Sequence, residues 1–279
     1  MSQVERDPYA ELPVLEPPRS SWRGVAVWVL GVLLLLNVGA LLFALSFANV
    51  TAEGPAKRTL RHSAAILTEI DAYLDDHYDA LRQQAEQQPD RTVTPADYPI
   101  EVTFTSDEVL SSDREAFRGL LLDRSADALY AEGTDAIVSE NDNDSDFSTQ
   151  AAVRDGMNLL REAQHDGLTV ATIVLAAAAG VLALGLLLTA RGYGGLLGLG
   201  VGAFLGSLPF LVLAIAVRFA FRLAADGTAD SFVEEYLKLG QELAWAPIRN
   251  GIVFTVGSAA VIVLGAALAR WGRTAGRPF

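Results

Sequence analysis

Three aspartates alternate along one short segment of the chain, at Asp142, Asp144 and Asp146. Alternating oxygen ligands open the loop of an EF-hand calcium site. The pattern then fails, because Phe147 stands where the turn needs glycine and Val153 stands where a bidentate glutamate is expected. We interpret the segment as a solvated acidic loop, with weak cation binding as the alternative, and expect no dedicated metal site.

The histidines are few and scattered, at His62, His77 and His165. None pairs with another at metal-ligand spacing on a helix. His77 lies between Asp75 and Asp79, which share a helix face and could hold a cation with outside help. A surface histidine on an acidic helix is the favoured interpretation.

Catalytic and cofactor-binding patterns are also missing. The chain has no cysteine, which excludes disulfides and thiolate chemistry. No phosphate-binding loop or nucleophile elbow occurs. We therefore expect a protein that is not an enzyme and holds no cofactor.

Four glycines recur at every fourth position, which would align them on one helix face over about 18 Å. They are Gly194, Gly198, Gly202 and Gly206. Such a face lets another helix approach closely in a membrane. We favour a neighbour in the same bundle, with Ala176 and Gly180 of the second span as candidates, over self-association. Ser207 and Pro209 follow, and we expect a kink there.

Arg218 and Arg222 lie four residues apart just after the predicted third span. They could bind lipid phosphates, meet carboxylates of the same chain, or line a pore mouth. No Asp or Glu falls in any predicted span, and Asn37 is the polar residue that stands out in the first. Ion-coupled transporters usually place ionisable groups there, so the sequence disfavours that class.

The helices that position these residues are predicted from stretches without charged residues, each at least 20 residues long. About 20 apolar residues in a helix cross the roughly 30 Å hydrocarbon core of a bilayer. The sequence predicts an all-α membrane protein with four transmembrane helices. Their predicted ranges are 23–49, 168–190, 194–217 and 250–270.

Residues 50–167 form the predicted acidic domain between the first two spans, with 25 acidic against 10 basic residues. We expect it to be mainly helical. The first predicted helix, Lys57 to Gln88, carries a seven-residue leucine repeat, and Ile100 to Thr105 alternates like a lone strand or an extended connection. Only two of the basic residues of the whole chain are lysine, which is typical of a high-salt organism or of codon bias.

Two more helices complete this predicted domain. The second runs from Ser112 to Glu132, with a capping box between Ser112 and Glu115 and with Gly133 at its end. The third runs from Thr149 to Gln164 and enters the second span across a break at Gly167.

The remaining segments are a tail at residues 1–22, a loop at 218–249 and a tail at 271–279. The loop should hold a short amphipathic helix, because Ser231 and Glu234 form a capping box before an apolar stripe. Trp245 then suits the headgroup level, although packing under the acidic domain explains the helix equally well.

Arginines flanking the first and last spans predict that both termini are cytoplasmic, in the cell membrane. Basic residues after the first and third spans disagree with that orientation. An orientation with both termini in the cytoplasm would place the acidic domain outside the cell, where Asn143 fits the short N-glycosylation pattern.

The sequence therefore predicts a non-enzymatic multi-pass membrane protein whose acidic outer domain binds, senses or scaffolds a partner. The alternative is a small homo-oligomeric channel assembled through the glycine-faced third span. Expected partners are membrane lipids and either another membrane protein or further copies of the chain. Nucleic acid is not expected, because an acidic surface repels it.

Overall fold

Four long apolar helices dominate the fold. The computed structural model describes residues 22–88, 91–137, 156–190, 193–228 and 231–275. The helices long and apolar enough to cross a membrane are α1 (Trp22–Thr51), α6 (Glu162–Thr189), α7 (Gly194–Gly227) and α9 (Trp245–Ala275). The prediction of a helical membrane protein with four transmembrane helices is confirmed.

All four of these helices extend beyond their predicted ends, α1 by only one or two residues. α6 begins at Glu162 and passes through Gly167 without interruption, so the predicted break there is wrong. A glycine inside a helix costs only about 1 kcal/mol relative to alanine, and its apolar neighbours continue the helix. α7 carries on past 217 and includes Arg218 and Arg222, and α9 starts at Trp245.

The bundle is held by contacts of α7 with both α1 and α9, while α6 packs mainly on α1. A further helix, α8 (Ser231–Leu243), confirms the short helix predicted after the third span. α8 packs on the far end of α7, where a Cβ added at Gly240 would lie 3.2 Å from the ring of Phe221.

The described residues between the first two spans include the helices α2 (Glu53–Leu67), α3 (Ile70–Gln87), α4 (Ser106–Ser111) and α5 (Arg114–Glu132), and a short 3-10 helix (Gly133–Ala136) follows α5. We call them, with the ribbon described below, the α2–α5 domain. It has a core of its own, distinct from that of the spans, in which Leu60, Leu74, Phe104, Phe117 and Leu121 are almost completely buried.

The single helix predicted from Lys57 to Gln88 is wrong, because the chain breaks into α2 and α3 at Glu69. The backbone of Glu69 has φ 42°, a left-handed conformation that ends a helix. The turn lets the apolar sides of both helices, with Leu60 on one and Leu74 on the other, pack on the same core.

A short antiparallel ribbon replaces the predicted strand from Ile100 to Thr105. Strand β1 (Thr92–Val93) pairs with strand β2 (Phe104–Thr105), and Ile100 makes an isolated bridge with Ile137. The rest of the predicted strand is an extended connection, one of the two alternatives left open by the sequence.

The predicted capping box of Ser112 with Glu115 is also wrong. Asp113 caps α5, since its carboxylate accepts a 2.8 Å hydrogen bond from the amide of Ala116. The capping box that does form lies on α4, between Thr105 and Glu108. Gly133, with φ 69°, ends α5 as predicted. The predicted helix from 149 to 164 lies partly outside the described residues.

Candidate functional site

The aspartates at Asp142, Asp144 and Asp146, with the glycosylation candidate Asn143, lie outside the described residues. Within the part of the chain that the structure describes, no group of three histidine or acidic side chains is placed to hold a metal ion. The ring of His77 instead stacks on Tyr73 of its own helix, with 4.6 Å between ring centroids.

The glycine face of α7 meets two other spans. A Cβ added at Gly198 would lie 3.1 Å from a methyl of Leu186 in α6. A Cβ added at Gly202 would lie 3.3 Å from the carbonyl oxygen of Gly31 in α1. A Cβ added at Gly194 would have no neighbouring atom of the described chain within 4 Å.

The tightest approach on this face is at Gly206. A Cβ there would lie 2.5 Å from the carbonyl oxygen of Leu35 and 3.1 Å from Val38, both in α1. Gly180 of α6, a candidate neighbour from the sequence, has nothing within 4 Å of its own added Cβ. α1 therefore fills most of the groove that the glycines leave.

Polar side chains join the same spans. Asn250 of α9 donates a 3.2 Å hydrogen bond to Ser46 of α1, and Thr255 of α9 donates a 3.1 Å bond to Ser207 of α7. Asn37 has a buried side-chain oxygen without a hydrogen-bond partner within the described chain. The sequence shows these residues but gives no means of pairing them, since the partners are 48 and 204 positions apart.

A cluster of hydrogen bonds lies where the α2–α5 domain meets the first two spans. Nδ1 of His165 in α6 lies 3.1 Å from the carbonyl oxygen of Ala48 and 3.3 Å from Oγ1 of Thr51, both in α1. Tyr130 of α5 donates a 3.4 Å bond to the carbonyl oxygen of Thr51. We call Ala48, Thr51, Tyr130 and His165 the junction, because they join α1, α5 and α6 at one level.

Lys57 reinforces the junction from α2. Its ammonium lies 2.7 Å from Asp127 and 2.8 Å from Glu53, and these two carboxylates hold the pKa of Lys57 well above its ordinary value. The same ammonium lies 5.7 Å from the centre of the Tyr130 ring. Burial raises the pKa of the Tyr130 hydroxyl, which stays protonated as a donor.

The arginine pair lies on α7 rather than in a loop. The guanidinium carbon of Arg218 lies 5.2 Å from the centre of the Trp245 ring, a cation–π contact between α7 and α9. Arg222 is exposed one turn further along. A tryptophan and an arginine together are typical of the headgroup level of a bilayer.

A cavity of about 540 Å³ separates α2 from α8. Its volume is in the range of small-molecule sites. Its lining combines three basic side chains, one carboxylate and a mainly apolar remainder. The lining residues are Pro55, Arg58, Thr59, His62, Lys238, Leu239, Glu242 and Leu243.

Comparison of the chain with protein-family models, with curated proteins and with solved structures finds no match.

The close contact at Gly206 gives a test of the bundle. We expect Gly206→Ala to lower the thermal stability of the protein in detergent, by about 1–3 kcal/mol, because the added methyl collides with the α1 backbone. Gly180→Ala is the matched control and should leave stability nearly unchanged, since its methyl meets open space. Equal stability of both variants would contradict the packing described for α1 and α7.

Proposed function

We propose that this is a non-enzymatic membrane protein whose α2–α5 domain binds a protein partner at the membrane surface. The observation that carries the proposal is the junction, where Tyr130 of a separately packed domain bonds to α1 and His165 joins α6 to the same turn of α1. A domain attached to the spans in this way presents its surface at a fixed distance from the membrane and in a fixed orientation. That arrangement suits a scaffold or an accessory subunit.

The charges of the domain support a partner with a basic surface. Several carboxylates are already neutralised within the chain, among them Asp71 by Arg118 at 2.7 Å and Asp123 by Arg61 at 2.9 Å. The hydrogen bonds from Arg118 hold the pKa of Asp71 below its ordinary value. Such exposed pairs add little stability, so their main effect is to remove charge from that part of the surface.

Two carboxylates of α3 contrast with these pairs. Asp76 and Asp79 are exposed and take no part in the ion pairs found among the described residues. They leave a concentrated negative charge on the outward side of α3, where a basic partner would be attracted.

The channel alternative loses its main support. It required the glycine face of α7 for assembly between copies, and Gly202 and Gly206 lie against α1 of the same chain. The polar pairs Asn250–Ser46 and Thr255–Ser207 also occupy contacts inside the bundle.

We further propose that the α2–α5 domain lies outside the cytoplasm, following the arginines that flank the first and last spans. The chain has no cysteine, so single cysteines report its topology cleanly. In intact cells, Gln83→Cys should react with a membrane-impermeant maleimide, and Ser2→Cys should react only after permeabilisation. The reverse pattern would invert the orientation.

The partner proposal predicts that charge on α3 controls complex formation. Full-length protein, cross-linked in native membranes and purified in mild detergent, should yield a defined complex. Asp76→Asn with Asp79→Asn should weaken that complex several-fold, through loss of electrostatic attraction. Gln83→Lys with Gln87→Lys is the control, because it makes the same change in net charge at positions one and two turns beyond Asp79 on α3.

Recovery of the wild-type protein only as a monomer would contradict the proposal. Equal weakening by the two double variants would assign the effect to net charge and would rule out a binding surface at Asp76 and Asp79.

A further inference from the structure

We propose that the cavity between α2 and α8 binds the phosphate-bearing headgroup of an amphiphile at the membrane surface. This site is separate from the partner surface on α3 and from Arg218 and Arg222. It is formed by elements that leave the membrane at different points of the chain, one after the first span and one before the last.

The lengths of the spans lead us to expect the cavity at the level of the lipid headgroups. α1 has 30 residues and is about 45 Å long, which exceeds the roughly 30 Å hydrocarbon core and brings its last turns to the bilayer surface. Pro55, in the α2 wall, comes four residues after the end of α1 at Thr51. Leu243, in the α8 wall, comes two residues before the exposed Trp245.

The basic side chains of the lining suit a phosphate. Arg58 contributes a positive charge from α2, and Lys238 contributes one from α8 on the opposite wall. His62 lies one turn from Arg58 on α2. Lys238 also pairs with Glu234 of its own helix, at 2.6 Å. Arg58 donates from its Nε to the carbonyl oxygen of Gly54, at 3.2 Å.

Glu242 distinguishes the headgroup from a bare anion. A carboxylate in the same lining disfavours a naked phosphate but accepts hydrogen bonds from a hydroxyl or an ammonium. A headgroup such as phosphoethanolamine carries the phosphate and the donor together. Leu239, Leu243 and Pro55 supply apolar contact for the glycerol and the first methylenes of the chains.

A bound headgroup would have a structural consequence. Because its phosphate meets both Arg58 and Lys238, it would tie α2 to α8. The domain that follows the first span would then be linked to the helix that precedes the last one. Occupancy of the cavity by a headgroup would determine how strongly α2 and α8 are held together.

The test uses the full-length chain in mild detergent. The protein is mixed with equal amounts of phosphatidylethanolamine and phosphatidylcholine of identical acyl chains, and bound lipid is measured by native mass spectrometry. We expect wild type to retain phosphatidylethanolamine preferentially, because phosphatidylcholine lacks the donor that Glu242 accepts. Glu242→Ala should remove that preference.

Arg58→Gln with Lys238→Gln should lower retained lipid by about tenfold or more, as expected when charge-assisted hydrogen bonds are lost. Arg82→Gln, an exposed arginine on α3, should have no effect. Leu239→Trp should also reduce lipid binding, because the larger side chain fills the cavity without changing its charge. This second variant keeps the test valid if the double charge variant fails to fold.

Inorganic phosphate is added in a parallel sample. Its failure to displace the lipid identifies the membrane as the source of the ligand, whereas displacement shows that the cavity takes the free anion. Lipid retention that is equal in wild type, in the Arg58 and Lys238 double variant and in Leu239→Trp would overturn the proposal.

Discussion

The structure depends on the junction at which α1, α5 and α6 meet. A helix that leaves the bilayer has to satisfy its last carbonyl groups once its own hydrogen-bond ladder ends. Here the carbonyls of Ala48 and Thr51 accept bonds from His165 and Tyr130. These bonds thus complete the end of α1, and the one from Tyr130 also links the α2–α5 domain to it.

The bundle below the junction is built by close backbone contact rather than by charge. Lipid tails are as apolar as leucine, so helices in a membrane associate through packing and interhelical hydrogen bonds. Gly202 and Gly206 allow α7 to approach the α1 backbone, and the bonds Asn250–Ser46 and Thr255–Ser207 join α9 to its neighbours. The polar bonds specify which helices pair, because unpartnered groups would be costly there.

The spans were predictable from the sequence because a bilayer imposes a length that the charge-free stretches reveal. The break at Glu69 was not, since the seven-residue leucine repeat continues across it and the turn follows from packing on the domain core. The cap at Asp113 was missed because Ser112 and Glu115 satisfy the same local rule one residue earlier.

Long-range pairs were beyond the reach of the sequence for a different reason. Nothing in the residues near Thr51 indicates that His165 or Tyr130 will reach it, because that contact depends on the path of three helices. The cavity between α2 and α8 could not be predicted from the sequence either, since its two walls are about 180 residues apart in the chain. Local patterns locate helices, and only packing brings distant polar groups together.

The fixed position of the α2–α5 domain on the spans is the claim on which the proposed function rests. The most direct measurement is the distance between spin labels at Gln83→Cys on α3 and Ile173→Cys on the exposed side of α6, in a chain with no other cysteine. We predict a single narrow distance distribution in lipid nanodiscs, which broadens when Tyr130→Phe and His165→Leu remove the junction bonds. A broad or multiple distribution in the otherwise unaltered protein would contradict a domain fixed to the membrane.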